Sequence, residues 1–248
     1  MQKEKINLGK WLALFGVTIL LFHLLPAFLT RYVQEPITDG DVMDFITPFA
    51  VIAVAFLLYS RIYHSGSGTL TPSGLPDRLS KISLGLGFVL YVEGHGIHLS
   101  ANSLARLFDR AQYPEFYHAT YFFDEIFSHY IWDAGVFLIS LALIFACYRI
   151  PPQPKSTKNL YLICGGAVMY GFTFAANGIE GQTVAFVIPA ALVGVVVSSG
   201  NRFRISQESK TNPVRMFFLL GYAISLILFA YWGIRHAGFP QFSELGWI

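Results

Sequence analysis

GFVLYVEGHGIHLSAN (87–102) and YFFDEIFSHYIWDAGVFLI (121–139) together hold four carboxylates and three histidines, with no Lys or Arg in either stretch. The acids are Glu93, Asp124, Glu125 and Asp133; the histidines are His95, His98 and His129. Both stretches are otherwise apolar and have the look of membrane helices. An ionisable side chain at the centre of such a helix costs about 2.5–3.5 kcal/mol on insertion scales, so each one is a functional candidate by default. Acids without basic partners must either hold protons or surround a cation.

The remainder of the chain supports a membrane reading. Of 248 residues, 54% are hydrophobic and 13% charged, against about 25% charged in an ordinary globular domain. The apolar residues come in blocks of the length that spans hydrocarbon. Spans are expected at Trp11–Leu29, Asp44–Tyr63, Ile82–Asn102, Ala119–Tyr148, Leu160–Asn177, Gln182–Ser198 and Arg215–Ile234. That makes an all-α, seven-helix transmembrane fold in a single domain over 1–248. HSGSGTLTPSGLPD (64–77), PPQPKSTK (151–158) and GNRFRISQESKTNP (200–213) read as connections. MQKEKINLGK at the start reads as the flank of an uncleaved first helix, since no small-x-small cleavage pattern follows.

Charge orients the bundle. Thirteen of the 17 Lys and Arg fall at the amino terminus or in the second, fourth and sixth connections; only Arg31, Arg106, Arg110 and Arg235 fall on the other side. The positive-inside rule then puts the amino terminus in the cytoplasm and the carboxyl terminus outside, in a plasma membrane. On this topology His23, Asp44, Asn177, Glu180 and His236 all sit toward the outer side, together with His98, Glu125 and His129. The inner half is nearly all apolar. Such a gathering suits a pocket that opens outward, or sideways into the outer leaflet.

Spacing groups the candidates further. His95, His98 and Asn102 stand at i, i+3, i+7 on one helix face, and Glu125, His129 and Asp133 at i, i+4, i+8 on another. If those faces meet, His95, His98, His129 and Glu125 can bind a divalent metal, zinc or iron. Glu93 and Asp133 are then candidates for proton handling and general-base catalysis, with Asn102, Asp124, Glu180 and His236 as secondary candidates. Glycines at 94 and 96 would let a neighbouring helix approach His95 closely. His23, His64, His118 and His236, taken singly, read as structural or surface histidines.

Other stretches are read more plainly. SLARLFDRAQYPEFYHATYFF (103–123) is expected to form an interfacial helix with an aromatic belt, or a lid over the outer pocket. GGAVMYGFTFAANG and PAALVGVVVSSG are packing surfaces, and Pro26, Pro48 and Pro189 cap or kink helices. Cys147 and Cys164 form no C-x-x-C pair. A net charge of +2 without any basic, aromatic-interleaved run gives no reason to expect nucleic acid. No P-loop, nucleophile elbow, H-E-x-x-H or dinucleotide fingerprint is present.

Rhodopsins need a Schiff-base lysine in the last helix, where Arg215–Ile234 has none, and membrane desaturases need H-x-x-H-H boxes, which are absent. In architecture the chain is similar to the adiponectin-receptor and alkaline-ceramidase superfamily: seven helices, amino terminus inside, and a zinc site of histidines with an acid. That superfamily carries an H-x-x-x-H pair in its last helix. Here only His236 follows the last span, and the densest cluster lies on the third and fourth.

The expected function is a membrane-embedded metal-dependent enzyme, hydrolase or oxidoreductase, acting on a lipid or other apolar substrate from the outer side. The alternatives are a proton- or divalent-cation-coupled transporter and a bis-histidine haem protein built on His95 or His98 with His129.

Overall fold

The computed structural model describes residues 7–65, 74–149, 153–154, 157–200 and 210–247. Lys3 and Lys5, residues 66–73 of the 64–77 connection, most of the 151–158 connection, residues 201–209 with Arg202 and Arg204, and Ile248 lie outside the described residues.

Helices dominate. α1 runs Leu8–Leu24, capped by the Asn7 side chain, which accepts from the Lys10 amide, and it passes into a 3₁₀ turn at Leu25–Phe28 that contains Pro26. A small ribbon follows, β1 (Tyr32–Gln34) antiparallel to β2 (Ile37–Thr38). α2 spans Asp39–Ser65 and carries Asp39 and Asp41 in its first turn, where helix-terminal N–H groups favour carboxylates. α3 spans Leu75–Ala105. α4 (Pro114–Tyr121), a π turn at Phe122–Phe127 and α5 (Ser128–Ala146) form one unbroken 33-residue helix. α6 (Thr157–Glu180), α7 (Val184–Ser199) and α8 (Pro213–His236) complete the bundle. A second ribbon pairs β3 (Gln153–Pro154) with β4 (Lys210–Thr211).

Among the described residues, six helical stretches are long and apolar enough to cross a membrane: Leu8–Phe28, Asp39–Ser65, Leu75–Ala105, Pro114–Ala146, Asn159–Glu180 and Pro213–His236. The expected sixth span corresponds to α7, whose 16 residues extend only about 24 Å. Pro48 and Pro189 lie inside α2 and α7. The separate interfacial helix expected over 103–123 is not seen. Residues 103–105 finish α3, a short turn follows, and from Pro114 onward the segment is the first part of the α4–α5 helix.

Lipid tails are as apolar as leucine, so apolar helices gain little by merely touching; close packing through small residues holds them together. α3 and α5 show this. A Cβ placed on Gly94 would stand 2.6 Å from the Trp132 Cβ, and one on Gly135 would stand 2.6 Å from the Tyr91 backbone nitrogen. Gly96, the other glycine beside His95, has nothing within 4 Å, so only Gly94 serves the close approach. Gly16 of α1 meets Gly166 of α6 backbone to backbone, and Gly171 of α6 meets Gly221 of α8. The core between α1, α6 and α8 is aromatic: Phe15, Phe217, Phe218 and Tyr222 surround Tyr170, with ring centroids 5.4–6.0 Å away.

Candidate functional site

The close α3–α5 contact brings the two polar faces together. His98 and His129 stand with ring centroids 5.1 Å apart, nearly perpendicular. Between the two helices lies Trp132, buried to 5% exposure. Its indole stacks on His95 at 4.2 Å and on His129 at 4.8 Å, with His23 of α1 at 5.2 Å and His98 at 5.8 Å. Four histidines thus gather around one tryptophan.

Three of these rings have defined partners. His23 Nδ1 lies 2.8 Å from the Ile19 carbonyl, which can only accept; Nδ1 therefore carries the proton, and Nε2 accepts from the Tyr91 hydroxyl at 3.0 Å. His95 Nδ1 donates to the Asp44 carboxylate of α2 at 3.0 Å, leaving its Nε2 buried without a partner. His98 Nδ1 sits 2.7 Å from Asp124 Oδ1 in an ion-pair contact that lies off hydrogen-bonding directions. His129 Nδ1 and Trp132 Nε1 are likewise buried and unbonded, as is Asp44 Oδ2. Buried polar atoms are normally paired, so this local concentration of exceptions makes the cluster the candidate site.

The cluster forms one wall of a cavity of about 710 Å³. Carboxylates of Asp41, Asp44, Glu125 and Glu180 line it, with His23, His98, His129 and Asn102. Apolar residues from the end of α1, from α6 and from α8 form the opposite wall. At the α2–α3 side, Arg106 is bonded through both terminal nitrogens to Asp41 and also donates to the Pro36 carbonyl at 3.1 Å. Asn102 Nδ2 approaches the same carboxylate at 3.5 Å. Asp41 also accepts from the Thr38 amide and hydroxyl, so its charge is fully engaged.

The expected site residues fare differently. His98, Glu125 and His129 line the cavity with Asn102 and Glu180, whereas His95 reaches the group through its stack on Trp132 and does not itself line the cavity. Glu180 receives the Phe242 and Ser243 amides and so also anchors the segment after α8. Asp124 is closer to the centre than its secondary rank suggested: it is buried and contacts His98. It lies in the π turn, an insertion that shifts the helix face by one residue and is common at functional sites. Glu93 is exposed on the outer face of α3 and stands apart from the cavity. Asp133, 1% exposed, lies outside the cavity lining and accepts from the Thr183 hydroxyl. His236 packs on Trp232 at 4.2 Å and does not line the cavity. These three were expected nearer the chemistry. Helical spacing identifies a shared face, but it does not tell which part of that face meets a neighbour.

His23 and Asp44 were expected only in the general outward gathering of polar groups, and Asp41, Arg106 and Trp132 were not among the site candidates. Asp41 and Asp44 stand at i and i+3 on α2, a spacing that signals a shared face. Nothing in the sequence singles out Trp132. Cys147 and Cys164 are free, and Cys147 is buried.

The donor chemistry suits a divalent ion: imidazoles held by carboxylates, with ring nitrogens left over, are the usual arrangement around metal-ligating histidines. Among the described residues, however, no three His, Cys, Asp or Glu side chains stand in a metal-holding group, so binding an ion here requires imidazole rotation. Compared with protein-family models, with curated proteins and with solved structures, the chain matches none.

Proposed function

We propose that the chain is a seven-span protein of the plasma membrane, with the amino terminus in the cytoplasm and the cavity on the outer side. In this reading it is a metal-dependent enzyme, hydrolase or oxidoreductase, that acts on a lipid or other apolar substrate. One observation supports the reading: Asp44, His98 and His129 line a single cavity, Asp44 is bonded to His95 and Asp124 pairs with His98, and Asp44 Oδ2, His95 Nε2 and His129 Nδ1 are buried without a partner. His95, His98 and His129, with Glu125, are the proposed holders of zinc or iron. When bound, such an ion supplies Lewis acidity and lowers the pKa of water toward about 7.

The chain's own side chains do the rest. Asp44 fixes the His95 proton on Nδ1 and so presents Nε2. With Glu125 as a holder, Glu180 is another carboxylate that lines the cavity, whereas Glu93 and Asp133, first expected as proton acceptors, do not line it. Trp132 holds the His95 and His129 rings by stacking.

Elemental analysis of protein purified in detergent without chelator tests the metal. About one zinc or iron per chain is expected, and metal-free protein that still turns over a lipid would sink the reading. A reporter fused after Ile248 should behave as extracytoplasmic and one in the 64–77 connection as cytoplasmic; the reverse pattern would invert the topology.

A transport reading has one observation in its favour. Ser140, Tyr170 and Tyr222 form a buried hydroxyl chain with links of 2.7 and 3.1 Å, in a region expected to be apolar. Proton flux in proteoliposomes that is abolished by Tyr170→Phe would favour it.

A further inference from the structure

The cavity is not walled on all sides. Phe28, Phe172 and Tyr231 line it and are at the same time 64%, 43% and 61% exposed. It therefore reaches the outer surface of the bundle beside the end of α1, α6 and α8. Phe172 stands eight residues before Glu180, the end of α6, and Tyr231 five before His236, the end of α8. At 1.5 Å per residue these side chains lie about 12 and about 8 Å inside the helix ends. A 24-residue helix extends about 36 Å, against a hydrocarbon layer of about 30 Å. Phe172 and Tyr231 thus stand at the depth of acyl chains, and Phe28, the last residue of the first apolar stretch, stands at the edge of that layer.

The inner wall is of opposite character. Asp44 and His129, each 6% exposed, line it, and Asp44 Oδ2 and His129 Nδ1 have no hydrogen-bond partner. An apolar rim in hydrocarbon and an unbonded polar floor match the two ends of one amphiphile. A water-soluble ligand would have no use for an aromatic rim at that depth, and a pure hydrocarbon would leave the floor unpaired.

We infer that the cavity opens sideways into the bilayer and takes its occupant from there: a membrane lipid whose acyl chain passes between Phe28, Phe172 and Tyr231 and whose polar group reaches Asp44 and His129. This rests on the reading of the site as one for an apolar substrate, but uptake of the chain and turnover can be measured separately.

Trp132 provides the probe, because its burial shields it from lipid around the bundle. The full chain, with Trp11, Trp232 and Trp247 replaced by Phe, is placed in nanodiscs of phosphatidylcholine brominated along the acyl chains. Trp132 should lose most of its emission, since bromine quenches on contact. Ala27→Leu adds bulk at an exposed position of the cavity wall and should restore most of it. A Trp placed at Phe56, on the exposed face of α2, is the positive control. Unquenched Trp132 beside a quenched control overturns the inference, as does quenching that Ala27→Leu leaves unchanged. Should the triple Trp variant fail to fold, mass spectrometry of wild-type protein keeps the question open to refutation: retained phospholipid, depleted in Ala27→Leu, is expected, and equal retention sinks the proposal. Metal content measured on the same samples separates the two readings. Chain uptake without metal removes the metalloenzyme and leaves the opening; metal without chain uptake does the reverse.

Discussion

His95 Nδ1 donates to Asp44 Oδ1 at 3.0 Å, a bond between the middle of α3 and the first turns of α2 made where both side chains are buried. It sets which imidazole nitrogen faces the remaining site, and it ties a third helix to the α3–α5 pair. Removing one partner strands the other in a low-dielectric interior, which costs about 1–3 kcal/mol and more if the stranded group is charged.

Asp44→Asn should therefore keep the fold but loosen the imidazole. If the site binds metal, losing an orienting carboxylate typically costs about 10–100-fold in affinity or activity. Metal titration followed by competition with a chelator measures it. Affinity equal to wild type would mean that His95 is not held by Asp44 in the working protein.

His98→Ala and His129→Ala each remove a proposed ligand and should sharply lower bound metal. Chelation of the wild type should lower the midpoint of thermal unfolding, because an occupied site adds its binding energy to the folded state. Glu93→Gln, by contrast, should leave metal and turnover unchanged, since Glu93 is exposed on the far side of α3. A Glu93→Gln enzyme that keeps its metal yet loses turnover would return Glu93 to the chemistry.

The Asp41–Arg106 pair locks the end of α3 to the start of α2 beside the cavity, with Asp41 3% exposed. Arg106→Gln leaves a buried carboxylate without its cation and should destabilise by about 3 kcal/mol or more. Arg106→Gln combined with Asp41→Asn removes both charges and should be milder than Arg106→Gln alone. A double-mutant cycle read by thermal unfolding in detergent decides; strictly additive losses would show the pair to be uncoupled.

Two glycines either side of His95 provide a packing test. Gly94→Ala puts a methyl into Trp132 and should cost about 1–3 kcal/mol, with loss of the His95–Trp132–His129 stack. Gly96→Ala meets nothing and should stay within about 0.5 kcal/mol of wild type. Equal destabilisation by both would mean that α3 and α5 do not pack along this line.

Much of the architecture was legible in residue order. Blocks of apolar residues dictate helices because hydrocarbon leaves backbone N–H and C=O groups no other partners, and among the described residues six of those blocks stand as helices long enough to cross. The remaining block, the expected sixth span at Val184–Ser199, is apolar but short, and no composition rule decides whether 16 residues suffice. The i, i+3, i+7 pattern groups His95, His98 and Asn102 and the i, i+4, i+8 pattern groups Glu125, His129 and Asp133; of these His98, Asn102, Glu125 and His129 line the cavity and His95 and Asp133 do not.

What the period could not reveal is how two helices rotate against each other. That depends on where backbones come closest, at Gly94 against Trp132 and Gly135 against Tyr91, and these contacts turn Glu93 outward. The π turn at Phe122–Phe127 then shifts the register upstream of His129 and swings Asp124 onto His98, which an unbroken 3.6-residue period cannot anticipate. His23 and Asp44 come from α1 and α2, and only the packed bundle brings them into contact with Tyr91 and His95 of α3. The residue types and the polar end of each helix were written in the sequence; the pairing of each imidazole with its carboxylate was decided by tertiary contacts between segments far apart in the chain.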